Sequence, residues 1–456
     1  MPTFLGAEYL LESASAKNIF DQIKDLPILD AHNHTSVKEI AENSNYEDIW
    51  RVEAATDHYV WELMRKRGVP EKLITGSATN YEKWMALSEV FEDFAGNPVY
   101  EWIHLDLKNR FGIAKPINSE NSQAIWDETL EALALPEMKP QALLQAMNVE
   151  VMCSTDDPLD DLADHAALAG VEGIPKVLPT WRPDKAANIF KPDFPGYIAK
   201  LAEKAGREIA GISDLVAALQ ETHDHFEAAG CKASDHGILT PFGFAVQEEV
   251  VDPIFRKRMA GEPVGPAEVR DYMSFMLHAF GEMDAKSGWV MQLHIGAVRD
   301  YRDALFAQLG PDSGGDVSDH LVEIVAPLKD FLNVFDGRLK IVLYSLDPNH
   351  VPTLATLTRA FGAMVNLGAA WWFNDSPVGI KRQLETIASV DLLANFAGMV
   401  TDSRKLISYG SRTEMYRRVL ADVIGAIIER GQMSEAVGIK LAKHVCYDGP
   451  KVFFGF

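Results

Sequence analysis

Two histidines spaced by one residue, His32 and His34, close a short apolar run, PILDAHNH (27–34). Side chains of an extended strand alternate with period two, so both imidazoles share one face. Two neutral imidazoles and one carboxylate make an open site for zinc or a similar divalent ion. Asp402, at the end of FAGMVTDSR (396–404), offers the carboxylate. The same period puts Arg404 beside it. A carboxylate next to a metal can move protons, and a guanidinium there can hold an oxyanion. His294 ends WVMQLHIG (289–296) and is either a fourth ligand or a hydrogen-bond donor behind the ligands. Arg182, in WRPDK (181–185), carries a fork that matches a carboxylate, or else closes a loop salt bridge. Asp57-His58-Tyr59 reads by itself as the start of a helix. His223, His225, His278, His320 and His444 sit on helical patterns and read as surface or core groups.

These residues need elements that bring them together. Eight short apolar runs stop at polar or ionisable residues: 27–34, 149–157, 175–184, 231–236, 289–296, 340–348, 362–368 and 396–404. Runs rich in Val, Ile and Leu, separated by helical patterns, are the sequence form of parallel strands buried on both faces. Eight of them, each followed by amphipathic segments, predict a (β/α)8 TIM-like barrel with its site at the C-terminal strand ends. Those ends carry His32, His34, Asp156, Asp157, Arg182, Asp235, His236, His294, Asp347, Asn366, Asp402 and Arg404. In a closed barrel the first and last strands are neighbours, so His32, His34 and Asp402 converge. Residues 36–147 read as a mainly helical subdomain inserted after the first strand of one domain spanning 1–456. A smaller helical insertion covers 238–280.

The composition narrows the function classes. A chain of 456 residues with 47% hydrophobic and 24% charged residues is ordinary globular material. The net charge of −23 argues against nucleic acid, whose phosphates need a basic footprint. It also repels any anionic substrate, so local arginines must supply the attraction. No stretch reaches the length of a membrane span, and the N-terminus lacks the pattern of a signal peptide. Cys153, Cys231 and Cys446 lack CxxC spacing and fit a reducing cytoplasm.

With these motifs in place, the chain closely resembles the uronate (glucuronate) isomerase family of the amidohydrolase superfamily, nearly end to end. The resemblance runs through PILDAHNH, TDHYVWELMRKRGVPEKLITG, NVEVMCSTDDPLDDLADH, VLPTWRPDKAANI, GWVMQLHIGAVR, AWWFNDSPVGIKRQLE and FAGMVTDSRKLISY. It implies one divalent metal held by His32, His34 and Asp402, and a small-molecule uronic acid substrate. It further implies ring opening by Asp402 with His32, removal of the C2 proton by Tyr59, and stabilisation of the enediolate by Arg404. His58, Arg182, Trp371 and Trp372 would line the substrate site, with His294 beside them. Ala31 and Asn33 stand where the family has tyrosine and cysteine. Glu101, Asp300, Tyr301 and Asn349 also depart from its usual residues, and these rim positions bear on substrate preference. The alternative is a metal-dependent hydrolase of the same superfamily acting on a sugar-acid lactone. A two-metal hydrolase needs a bridging lysine or acid on the fourth strand, and Lys232 lies too early in its run for that.

Overall fold

A computed structural model describes residues 3–456. Among the described residues the strands are β1 (Ile28–Asp30), β2 (Val149–Cys153), β3 (Lys176–Leu178), β4 (Ala233–Ile238), β5 (Val290–Ile295), β6 (Ala297–Val298), β7 (Val317–Ser318), β8 (Lys340–Ser345) and β9 (Val365–Leu367). They form a parallel sheet β1-β2-β3, a parallel sheet β4-β5-β8-β9, and an antiparallel two-stranded ribbon β6-β7. The fold is therefore α/β with parallel sheets. Trp181 joins the two sheets through parallel bridges to Asp156 and Ser234. Every residue of β5 is buried, as expected of a strand covered on both faces.

Seven of the eight apolar runs contain a strand. The eighth, 396–404, forms no regular strand, which corrects the sequence expectation. Its backbone still bridges the two sheets: Ala397 donates to the Leu367 carbonyl at 2.9 Å, and Asp402 donates to the His32 carbonyl at 3.1 Å. Gly398 (φ 102°) and Asp402 (φ 48°) are left-handed, and two such residues break the extended geometry a strand needs. The ribbon β6-β7 was not anticipated, because two-residue strands leave no periodicity.

Between β1 and β2 the chain is helical, from Val37–Glu42 to Pro140–Ala146, with no strand. One of these helices, His58–Lys66, begins where Asp57 accepts a hydrogen bond from the Tyr59 N–H at 3.0 Å. That N-cap aims His58 and Tyr59 from the first turn. After β4 come the helices Glu248–Met259 and Pro266–Ser287.

Register places the inner layers of the second sheet. Asp235, Gln292, Val342 and Asn366 are paired neighbours on β4, β5, β8 and β9, and Gly237, His294 and Tyr344 form the next layer. The Tyr344 ring stacks on His294 at 4.2 Å. A Cβ on Gly368 would lie 2.1 Å from that ring, so only glycine fits there. Gln292 accepts from the Tyr344 hydroxyl at 2.9 Å and donates to the Ala31 carbonyl at 3.0 Å, tying β5 and β8 to the end of β1.

Candidate active site

The chemistry gathers around one carboxylate. Oδ1 of Asp402 lies 3.2 Å from His32 Nε2 and 3.3 Å from His34 Nε2, while Oδ2 accepts from the Tyr59 hydroxyl at 3.0 Å. Burial opposes the Asp402 charge, but the two imidazoles outweigh it and hold the carboxyl well below the usual carboxylate range. Burial pushes His34 down to about 4, so it is a neutral donor at pH 7. His32, His34 and Asp402 each offer a ligand atom within 4.8 Å of the others. The donor set matches a divalent cation such as zinc.

A second triplet, His32, Asp235 and His294, also meets that limit. Asp235 Oδ1 lies 2.6 Å from His294 Nδ1, and Oδ2 lies 3.5 Å from His32 Nδ1 and 3.2 Å from Arg182 Nη1. Burial alone would raise the Asp235 carboxyl, yet Arg182, His32 and His294 carry it well below its usual range. A guanidinium already neutralises this carboxylate, so a cation fits poorly here. Asp235 instead backs His32 from the side opposite Asp402, as a carboxylate behind a ligating histidine does. His294 lies against Asp235 beside His32, and burial lowers it to about 4.

The aromatic wall comes from two directions. His58 stacks on Tyr59 at 4.7 Å and lies 5.6 Å from Trp372. Trp371 lies 4.8 Å from His294 and 5.6 Å from Trp372. Burial, followed by the Asp402 charge, raises the Tyr59 phenol well above its usual value, against the pull of Arg412. Arg412 is the cation nearest that ring, at 5.1 Å, and it also packs on Trp102 at 3.9 Å. Sequence reading did not single it out, since an arginine inside a long helical pattern carries no mark of its position.

Arg404 lines the site beside His34, but not for the reason the spacing suggested. Asp402 is left-handed, so period two does not apply at 402–404, and that expectation is corrected. Arg404 reaches Asp312 Oδ1 at 3.5 Å, and with His34 it lines a cleft of ≈ 420 Å³ at the mouth. Arg182 is flanked by Asp184 at 2.8 Å and Asp235 at 3.2 Å. A Cβ on Gly237 would meet its Nη2 at 2.5 Å, so this arginine needs a glycine beside it on β4.

Other strand-end residues are not brought to the cluster. Asp156 accepts from Ser154 Oγ at 2.7 Å, His236 faces the opposite side of β4, and Asp347 caps a short turn. Lys232 is exposed. His320 lies in a turn rather than on a helix. Of the departing positions, Glu101 accepts from the Tyr9 hydroxyl. Asp300 donates from its backbone to Asp316 at 2.7 Å, Tyr301 is exposed, and Asn349 accepts from Arg382.

The chain matches the family model described as glucuronate isomerase over residues 1–454. It is 53% identical over 453 residues to a uronate isomerase of Thermotoga neapolitana, covering 99% of this chain and 100% of that one. Its structure is similar to the crystal structure of a uronate isomerase from Thermotoga maritima, with a TM-score of 0.97 at 52% identity, covering 99% of this chain and 100% of that one. It is also similar to that of a glucuronate isomerase from Caulobacter crescentus, with a TM-score of 0.93 at 26% identity, covering 100% and 95%. A match of this length, over a site built around an HxH motif, an aspartate and a tyrosine, makes this chain a member of the glucuronate isomerase family.

Proposed function

We propose that this chain interconverts the aldose and ketose forms of hexuronic acids, D-glucuronate with D-fructuronate and D-galacturonate with D-tagaturonate. The observation that carries the reading is the double engagement of Asp402, with one oxygen facing two imidazoles and the other holding the Tyr59 hydroxyl. His32, His34 and Asp402 would hold one divalent ion, zinc by the donor types. When bound, it supplies Lewis-acid polarisation of the sugar's oxygens.

The residues then divide the work. A cyclic uronate hides its aldehyde as a hemiacetal, so a proton must leave the C1 hydroxyl and another must reach the ring oxygen. Asp402 and His32, 3.2 Å apart, serve as acceptor and donor, and Asp402 then passes the proton it took to His32, which leaves both as they began. Tyr59 then takes the C2 proton, having passed its own proton to Asp402 Oδ2. The electron pair moves onto the C1 oxygen, and the guanidinium of Arg404 faces that negative charge. Tyr59 returns the proton to C1, the C2 hydroxyl proton moves to the C1 oxygen as C2 becomes the ketone, and Asp402 gives Tyr59 its proton back. Arg412 partly offsets the cost of a phenolate inside this buried site. His58, Trp371, Trp372 and Arg182 line the sugar, and His294 with Asp235 keeps His32 aimed.

For architecture we infer that the two parallel sheets close through Trp181 and the 397–402 segment into a (β/α)8 barrel. Residues 36–147 then form a helical subdomain covering its mouth. We place the enzyme in the reducing cytoplasm, in keeping with three free cysteines. The test is an assay of aldose-to-ketose conversion across a panel of uronic acids, with sugar-acid lactones as controls. Conversion of a uronate is expected. Lactone hydrolysis without isomerisation would replace this reading with the hydrolase one.

A further inference from the structure

The chain carries 66 acidic against 43 basic residues, so an anionic sugar reaches the site only through cations that remain available there. Most of the site's cations are already held between carboxylates or buried beneath other side chains. Arg182 stands between Asp184 and Asp235. Arg412 is buried, bonds to Asp375 at 2.9 Å, and lies beneath Tyr59 and Trp102. Lys405 is buried against Glu53 at 2.6 Å. Two guanidiniums are left at the mouth, Arg404 and Arg299.

Arg299 comes from the segment just after β6. Its guanidinium lies 4.7 Å above the Trp372 ring, and Nη1 donates to Asp316 Oδ2 at 2.9 Å. Asp316 is nearly buried and also accepts from the Asp300 N–H at 2.7 Å. Arg299 is therefore aimed by an indole face and one fixed carboxylate, with the rest of its planar fork open. Between Arg299 and Arg404 stands Asp312. One oxygen, Oδ1, lies 3.9 Å from Arg299 and 3.5 Å from Arg404. The Asp312 side chain is 60% exposed, and its backbone is left-handed, as is that of Asp300 at the other end of the segment. Burial opposes the Asp312 charge, but Arg404, then Arg299, His34 and His58, hold its carboxyl below the usual value. An exposed carboxylate thus rests between two guanidiniums.

We propose that Arg299 is a specificity-determining residue that seats the carboxylate of the uronate, and that Asp312, which reaches both Arg299 and Arg404, competes for this seat. The inference deepens the isomerase reading and rests on it. The incoming carboxylate replaces one carboxylate by another, so charge at the mouth stays balanced. Asp316 stays in place and keeps Arg299 aimed. A neutral hexose has nothing to exchange for Asp312 and is rejected.

The test uses the full, metal-loaded chain with two probes, the uronates for turnover and galactarate for binding. Galactarate is a sugar diacid with no aldehyde or ketone, so it occupies the carboxylate seat without reacting. Arg299→Met is expected to weaken galactarate binding at least threefold by calorimetry and to raise KM for uronates in parallel, with kcat changed less than KM. Arg299→Lys should recover part of the loss. Asp312→Ala, at an exposed position, should tighten galactarate binding at least threefold. A merely structural Arg299 would lower kcat or stability without that pairing of opposite effects. Galactarate binding to Arg299→Met within threefold of the parent, or Asp312→Ala binding no tighter than the parent, overturns the inference. If the parent chain turns over no uronate, the isomerase reading fails instead, and the galactarate measurements still decide the seat.

Discussion

The two faces of β4 carry two buried clusters made from the same residue types. On the outer face Ser234 donates to Asp284 Oδ2 at 2.5 Å and meets His236 Nε2 at 2.8 Å, while His223 Nε2 lies 3.1 Å from Asp284 Oδ1. Both oxygens of that carboxylate have a partner, and His223 stacks on Trp289 at 3.7 Å. On the inner face Arg182 and two imidazoles crowd the two oxygens of Asp235, and neither oxygen makes a well-formed hydrogen bond. Both ring nitrogens of His294 are likewise unpartnered. Buried polar groups in a purely structural role are satisfied. Histidine, carboxylate and burial are common to both faces. What separates them is the carboxylate, since both oxygens of Asp284 are bonded and neither oxygen of Asp235 is.

The comparison sets the order of expected losses. Replacing His32 and His34 together by alanine should abolish isomerisation and strip the metal while leaving the fold intact, because neither side chain ties two core elements together by hydrogen bonds. Elemental analysis of the purified protein checks it, and an undiminished metal content would remove these ligands. Tyr59→Phe keeps the ring on its Trp102 and His58 neighbours but deletes the proton acceptor. The rate should fall by on the order of 10²–10⁴, with metal content preserved. Near-parental turnover would take Tyr59 out of the mechanism. Asp235→Asn should cost less, roughly 10–100-fold in activity or metal affinity, as for other groups that orient a ligating histidine. A loss below threefold in both would make Asp235 a bystander.

Much of this site was legible in the sequence, and the boundary has physical causes. HxH after an apolar run marked a candidate metal pair, although β1 ends at Asp30 and both histidines stand just beyond it, so strand alternation was not the reason they converge. Asp57 before His58-Tyr59 announced a helix start, because an N-cap is local. The spacing argument failed at 402–404, where Asp402 is left-handed and local alternation gives way to tertiary demands. Asp235 and His236 looked equivalent as strand-end residues, since only register decides which one faces inward. Arg299, Asp312 and Arg412 were invisible because their roles depend on what lies across the mouth, many residues away. The family resemblance supplied Tyr59, which the pattern of residues alone left as a helix start, and Trp371 and Trp372, which that pattern did not single out.

The smallest expected effect on chemistry comes from the outer face, and it carries the comparison furthest. Asp284→Ala removes the partner of both His223 and Ser234, which are fully buried. Leaving a buried donor unmet costs about 1–3 kcal/mol, so the denaturant midpoint should drop clearly. Asp284→Asn should cost less, for a reason specific to this chain of bonds. The amide can accept from His223 and donate to Ser234, provided Ser234 turns its proton toward His236 and that ring accepts it as the other tautomer. The network is reversible in direction, whereas the inner cluster is fixed by charge. Neither substitution touches a group that faces the sugar, so kcat/KM of the folded fraction should stay within about twofold, less than about 0.5 kcal/mol. Steady-state kinetics on folded protein, measured beside the denaturation curve, separates the two quantities. A tenfold fall in kcat/KM for Asp284→Asn with an unchanged midpoint would mean the outer face communicates with Asp235 through β4, and the division between the two faces would not hold.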